Sequence, residues 1–412
     1  MINNKQNIMK KFFFFAAAAL VALAACSKVE TIETPARKIG FNVGTYKAGT
    51  KADPATKHAL QDETNSFSSK AWLHANGAAA GTDFFGTGET VSFTAGTPNV
   101  WEPSNEYFWP KAADSYINFV SWFATNSKNP TTVSETALQW GTSAAPVTIA
   151  KDDNFLFADE AWRFSSNNNP ATYTAVSGVS EGVPTLFHHA LAKVQFNVKL
   201  KTTTQSTKTI WDVAIQTASL KIGKDGYLAL TNADPSTAAT TVAWKVGSAA
   251  ATSDIVGWAH PSSPTLETIV ETSSTASDVT KDFAKLTFEN FAPKTLTDGK
   301  YESAAQEFLA ERTVLPQTLG TTVKFAMTFK ISLFHDSNND GNKDGAAYSE
   351  EIVTLTEENL ATLVNTITAW NMNTKYVYNV TIDPVGKKVL FDPAVVDWAT
   401  VTSVDTEIYP RP

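Results

Sequence analysis

Thirteen consecutive residues, Thr322 to Phe334 ("TVKFAMTFKISLF"), alternate apolar and polar side chains almost without a break. Val323, Phe325, Met327, Phe329, Ile331 and Leu333 fall on one face, with Thr322, Lys324, Thr328, Lys330 and Ser332 on the other. Successive side chains of a strand point to opposite faces, so this period of two specifies a strand with one buried and one wet face. "KVQFNVKL" (193–200) repeats the pattern, and "KYVYNVTID", "YINFVSWF", "KIGFNVGTY" and "AKLTFEN" give shorter versions.

Helical patterns do not alternate with these strands, so parallel βαβ units are not expected. One helix is, in "TEENLATLVNTITAW", where Leu360, Leu363, Val364 and Ile367 recur at helical spacing and Thr354 and Glu357 look like a capping box. "LKIGKDGYLAL" reads as a hairpin turning at Asp225-Gly226. One-side-wet strands joined by Thr, Ser and Asn loops predict an all-β chain of two tandem antiparallel β-sandwich domains. A polar stretch from Arg163 to Pro184 places the joint near 182, giving domains 52–182 and 183–412. A second polar stretch, "SSPTLETIVETSSTASDVTKD", reads as a long loop of the second domain.

The start of the chain carries an address. Lys10 and Lys11 precede an apolar run from Phe12 to Ala24, thirteen residues where a spanning helix needs about 20. A basic region, a short apolar run and small residues after it make a secretory leader, residues 1–25. Leu23-Ala24-Ala25-Cys26-Ser27 looks like a lipobox, in which the Cys26 thiol is acylated. Cys26 is the one cysteine of 412 residues, so neither disulfides nor cysteine–metal chemistry is available elsewhere. Two or three acyl chains anchor stably where one does not. Residues 26–51 then read as a tether followed by a first strand. The net charge is −8, and removing the leader removes Lys5, Lys10 and Lys11 besides. An acidic chain without a basic run is a poor partner for nucleic acid or anionic membrane.

Chemistry is sparse. "GVSEG" (Gly178 to Gly182) matches G-x-S-x-G, but a polar loop precedes Ser180 and Val183-Pro184 follows, where a nucleophile elbow needs a strand and then a helix. Asp336, Asn338, Asp340 and Asp344 fall on positions 1, 3, 5 and 9 of an EF-hand-type loop, with the Asn342 carbonyl at position 7. Position 12 is Ala347, so two readings stand: a weak structural calcium site, or a hairpin tip built from turn-forming residues. No other cofactor is called for. The six histidines show no metal-binding spacing, and nothing argues for an enzyme.

Several segments, in order, resemble the fimbrillin (Mfa-like) lipoproteins, subunits of type V pili in Bacteroidales-type bacteria. They are the lipobox, "IGFNVGTYKAGTKA", "NEYFWPKAADSYINFVSWFA", "LFHHALAKVQFNV", "VLPQTLG", "WNMNTKYVYNVTID" and the closing "VVDW". Asn371 to Thr374 stands where the family commonly has a Gly-containing turn, and Lys51 replaces an arginine. The resemblance implies transthyretin-like sandwiches and a precursor held in the outer membrane by the lipid on Cys26. It implies trimming by a trypsin-like protease and head-to-tail polymerisation with other fimbrillin subunits into an extracellular fimbrium for adhesion to a host or bacterial surface. Carried onto this chain, Ile39, Phe41 and Val43 plug a groove before assembly, cleavage falls between Lys51 and Ala52, and the tail residues Thr402, Val404, Thr406 and Ile408 either enter a neighbour's groove or pair at home. Two other readings are a surface glycan-binding lipoprotein that never polymerises, marked by a row of exposed Trp and Tyr, and a tip or anchor member of the same family.

Overall fold

The computed structural model describes residues 38–45, 60, 64–95, 100–165, 182–200, 203–204, 209–232, 240–246, 257–272, 286–287, 294–295, 300–302, 306–335, 337, 343–364, 366–383 and 387–396. All of these lie in one unit, Lys38–Pro412. Cys26, Lys51, Ala52 and the tail residues Thr402, Val404, Thr406 and Ile408 lie outside the described residues.

The chain is all-β, and the strongest alternation becomes the longest ladders. Strand Lys324–His335 buries Phe325, Met327, Phe329 and Ile331 on one face. It lies between Thr209–Gly223 and Ser349–Asn359, both antiparallel to it, with Leu266–Thr272 beyond the first. A second sheet runs in the order Gln306–Val314, Ala192–Leu200, Thr374–Asp383, Lys388–Val396. Inward residues of both sheets share one core, in which Phe196 stacks on Phe325 at 5.4 Å and on Tyr378 at 4.7 Å.

The N-terminal strands do something else. The largest sheet has ten strands, in the order Thr240–Val242, Glu160–Phe164, Tyr116–Ala124, Phe155–Ala158, Val183–His189, Phe41–Thr45, Val100–Pro103, Glu89–Thr94, Ser66–His74, Thr82–Asp83. Ser66–His74 also pairs with Tyr116–Ala124, from Ser68↔Trp122 to His74↔Tyr116. That pairing closes seven of the strands, Tyr116–Ala124 round to Ser66–His74, into a ring. The ring explains why "YINFVSWF" is buried from Tyr116 to Trp122 without alternation. Ile117 and Phe119 join the core inside the ring, while Val120 and Trp122 join an outer cluster with Trp140, Trp258 and Leu230.

Several expectations change. The joint placed at 182 precedes Val183–His189, which is hydrogen-bonded within the first sheet; the chain crosses to the other sheets at Ala190–Leu191. A further sheet takes Thr132–Ser134 and Ala137–Trp140 from the first half and Asp225–Thr231 from the second. Pairing is not wholly antiparallel: Ala192–Leu200 runs parallel to Thr374–Asp383, and Phe41–Thr45 runs parallel to Val183–His189. Asp225-Gly226 is not a hairpin turn, because Thr209–Gly223 and Asp225–Thr231 belong to different sheets. The Asp225 carboxylate instead accepts from Thr265 N and Oγ1, at 2.7 and 2.8 Å. The helix is one turn, Leu360–Val364, because Thr354 and Glu357 sit inside strand Ser349–Asn359, where Glu357 faces Lys221 and Lys324. The polar stretch read as a loop contains strand Leu266–Thr272, recruited by its neighbour Thr209–Gly223.

Glu160, at the start of its strand, is fully buried, and its Oε1 has no partner. Burial pushes this carboxyl up to about 9; Asn232, donating at 2.5 Å, opposes the shift and the nearby Glu135 adds to it. A raised folded value means its contribution to stability is whole below the unfolded value of 4.5 and is lost as pH rises towards 9. Glu160→Gln keeps the uncharged hydrogen bond and removes that loss. It is expected to raise the melting temperature over the parent by more at pH 8 than at pH 5. An equal difference at both pH values, measured by calorimetry, would show that the carboxyl does not titrate as described.

Candidate strand-exchange groove

The ring has one short stave contributed by the N-terminal end of the described chain. Phe41–Thr45 lies between Val183–His189 and Val100–Pro103. With the former it forms five consecutive parallel pairs, Phe41↔Val183 to Thr45↔Phe187. With the latter it makes a single antiparallel pair, Phe41↔Trp101. Just before it, Ile39 N donates to the Tyr107 carbonyl and Val183 N donates to the Gly40 carbonyl, each at 2.8 Å, and Lys38 bridges to Phe108. Val183 N faces the first strand, so by alternation Pro184 presents its missing N–H to the other side, and the proline removes no bond from this ladder.

Ile39, Phe41 and Val43 all belong to the core inside the ring. They are 0%, 1% and 3% exposed. Phe41 meets Phe67 and Phe119 edge-on, with centroids 5.6 and 5.7 Å away. Phe67 in turn packs on Trp101 and Phe187, which belong to the two flanking strands. Burying side chains of this size stabilises by about 1.5–3 kcal/mol each. Edge-to-face ring pairs add roughly 0.5–1.5 kcal/mol each. Without this strand, Val183–His189 and Val100–Pro103 become open edges over an apolar cavity.

Two features of the groove were not legible in the sequence. Gly182, the last residue of the G-x-S-x-G match, lies against the first strand: a Cβ built on it would stand 2.7 Å from Phe41 C, 2.8 Å from Gly40 O and 2.9 Å from Asn42 N. The glycine is required by close backbone approach, not by chemistry on Ser180, which lies outside the described residues. Asn42, on the opposite face from Phe41, is 5% exposed, and its Nδ2 has no hydrogen-bond partner.

The other candidate sites separate. Of the acidic loop, Asp336, Asn338, Asp340 and Asn342 lie outside the described residues. Asp344 uses its carboxylate to accept from Ser337 N at 2.6 Å, and its own N donates to the His335 carbonyl. That is turn chemistry at the link between Lys324–His335 and Ser349–Asn359. Among the described residues no three His, Cys, Asp or Glu side chains are grouped to hold a metal, and no helix is long and apolar enough to cross a membrane. Nine tryptophans, among them Trp101, Trp140 and Trp370, are each at most 9% exposed and so belong to packed interiors.

Phe41→Ala is expected to cost about 3–5 kcal/mol. The cost should appear as a lower urea midpoint in tryptophan fluorescence; a loss below about 1 kcal/mol would mean that the ring does not anchor the strand.

No family model matches the chain, and no curated protein does. Solved structures do. A fimbrial protein from Bacteroides vulgatus is 15% identical, with 88% of this chain and all of that one covered and a TM-score of 0.43. A candidate cell adhesion protein from Bacteroides uniformis is 12% identical over 88% of this chain and 98% of that one, with a TM-score of 0.36. The tip fimbrial protein Mfa3 from Porphyromonas gingivalis, truncated at its C-terminus, is 8% identical over 88% and 100%, with a TM-score of 0.32. These three are thus described as fimbrial or candidate cell adhesion proteins.

Proposed function

We propose that this chain is a structural pilus subunit that polymerises by exchanging its first strand for one from another copy. The observation that carries this reading is the ring itself: a five-residue stave near the N-terminus closes it, and Ile39, Phe41 and Val43 fill its interior. Closure is what removes edges from a β-structure, and a stave at a chain end can be withdrawn without threading the rest. A vacated position offers unpaired main-chain groups beside apolar pockets, which an incoming strand satisfies at once. Repetition of one head-to-tail contact that does not close on itself gives a filament.

In this reading the leader delivers the precursor to the outer membrane, with lipid on Cys26. Cutting after Lys51 frees the first strand, and the tail with Thr402, Val404, Thr406 and Ile408 supplies the replacement. Burial of nine tryptophans, Trp101, Trp140 and Trp370 among them, gives the glycan-binding alternative no support.

Electron microscopy of cells expressing the chain, with SDS ladders run without boiling, tests the proposal. The parent should form filaments and ladders, with mass spectrometry finding Ala52 at the mature N-terminus. Lys51→Ala should leave acylated monomer, and deletion of residues 400–412 should leave trimmed monomer. Unchanged ladders after the deletion would dismiss the tail as donor. A stable monomer that retains residues 38–51 in the parent would dismiss strand exchange altogether.

A further inference from the structure

An exchangeable strand must satisfy two opposed demands: it must fold into place, and it must be able to leave. The apolar face of Phe41–Thr45 meets the first demand. Its other face bears Gly40, Asn42 and Gly44, two residues without side chains flanking one buried amide. The Asn42 Nδ2 carries two N–H donors, and none finds an acceptor. A buried donor left unpaired loses its water without replacement, so the strand is bound less tightly than its apolar face allows. Pairing adds to the imbalance: five pairs on one side are parallel, the less stable kind, and the other side has one. Opposite this weak face, Gly182 lets the strand approach, since any side chain there would strike the backbone of Gly40, Phe41 and Asn42.

We propose that Asn42 is the release residue of the first strand: its unpartnered buried amide keeps the strand exchangeable, while Gly182 keeps the seat open to it. This rests on the strand-exchange reading and adds what regulates it. A strand that displaces the resident one then gains by bringing, at the Asn42 register, a side chain that needs no acceptor. The Asn42 position is therefore where resident and incoming strands compete, whereas the positions of Ile39, Phe41 and Val43 serve any occupant alike.

Hydrogen exchange on the untrimmed chain, residues 26–412, tests this without requiring polymer. Amides of Phe41–Thr45 are compared with those of Lys324–His335, in the other core. In the parent, the first strand is expected to exchange through local opening, faster than Lys324–His335. Asn42→Leu matches the branching of asparagine at Cγ but carries no donor. It should slow exchange of Phe41–Thr45 about tenfold or more, from relief of the unpaired amide, and leave Lys324–His335 unchanged. Asn42→Val, smaller, β-branched and without a donor, provides the same comparison should leucine be too bulky. Gly182→Ala should speed exchange of the first strand by a similar factor. Local opening in the parent with no slowing in either Asn42 variant would overturn the role of Asn42 and leave strand exchange standing. Exchange of Phe41–Thr45 in the parent only as slowly as Lys324–His335 would overturn strand exchange itself.

Discussion

Closure of a ring by one five-residue strand governs the N-terminal half of this molecule. Seven strands pair around a core of aromatic rings, and the seam runs along Phe41–Thr45. Phe67 touches Phe41, Trp101 and Phe187, so one ring bridges the stave to both of its flanking strands. The core is therefore complete only with the stave in place. Withdrawal does not merely expose three side chains; it removes the surface against which the flanking strands pack.

The second core is built on other terms. Its central strands, Thr209–Gly223 and Lys324–His335, run antiparallel over twelve registered pairs, and Ala192–Leu200 pairs with Thr374–Asp383 over nine. None of its buried apolar residues comes from the first strand. Loss of the stave is thus a local event, because the ladders that hold the remainder do not pass through it. The proposed strand exchange needs this separation, since otherwise removal of the strand would unfold the whole chain.

How much of this could be read from residue order follows from what each strand faces. Lys324–His335 was legible because one of its faces is wet, so sequence period and burial period coincide. Tyr116–Ala124 looks equally strand-like but hides its role, since both faces are covered, by the ring interior on one side and by Trp140 and Trp258 on the other. The plug role was implied by the family resemblance alone, whereas Ile39, Phe41 and Val43 were readable from alternation as one face of a strand. Their parallel partner was not, because the Val183–His189 strand lies some 140 residues on and only the fold decides which edge it offers. Asp225-Gly226 and the pair Thr354 and Glu357 carried correct local signals for a turn and a helix cap, and tertiary pairing overrode both. Gly182 is the instructive miss: a motif glycine whose reason is the approach of another backbone, invisible until that backbone is placed.

Buried polar atoms without a partner occur in both halves, in Asn42, Trp109 and Glu160 of the first and in Asn232, His260, Arg312 and Asn371 of the second. Asn42 and Glu160 are buried with an unpaired atom on strands of the first sheet, and Trp109 Nε1 is unpaired in the core inside the ring. Among the described residues, no such atom lies on Thr209–Gly223, Lys324–His335 or Thr374–Asp383, the strands central to the second core. Unpaired buried groups lower the cost of opening wherever they sit, because opening returns them to water. One such atom, Asn42 Nδ2, sits on Phe41–Thr45, the strand whose exchange is proposed, whereas among the described residues the strands at the centre of the second core carry none.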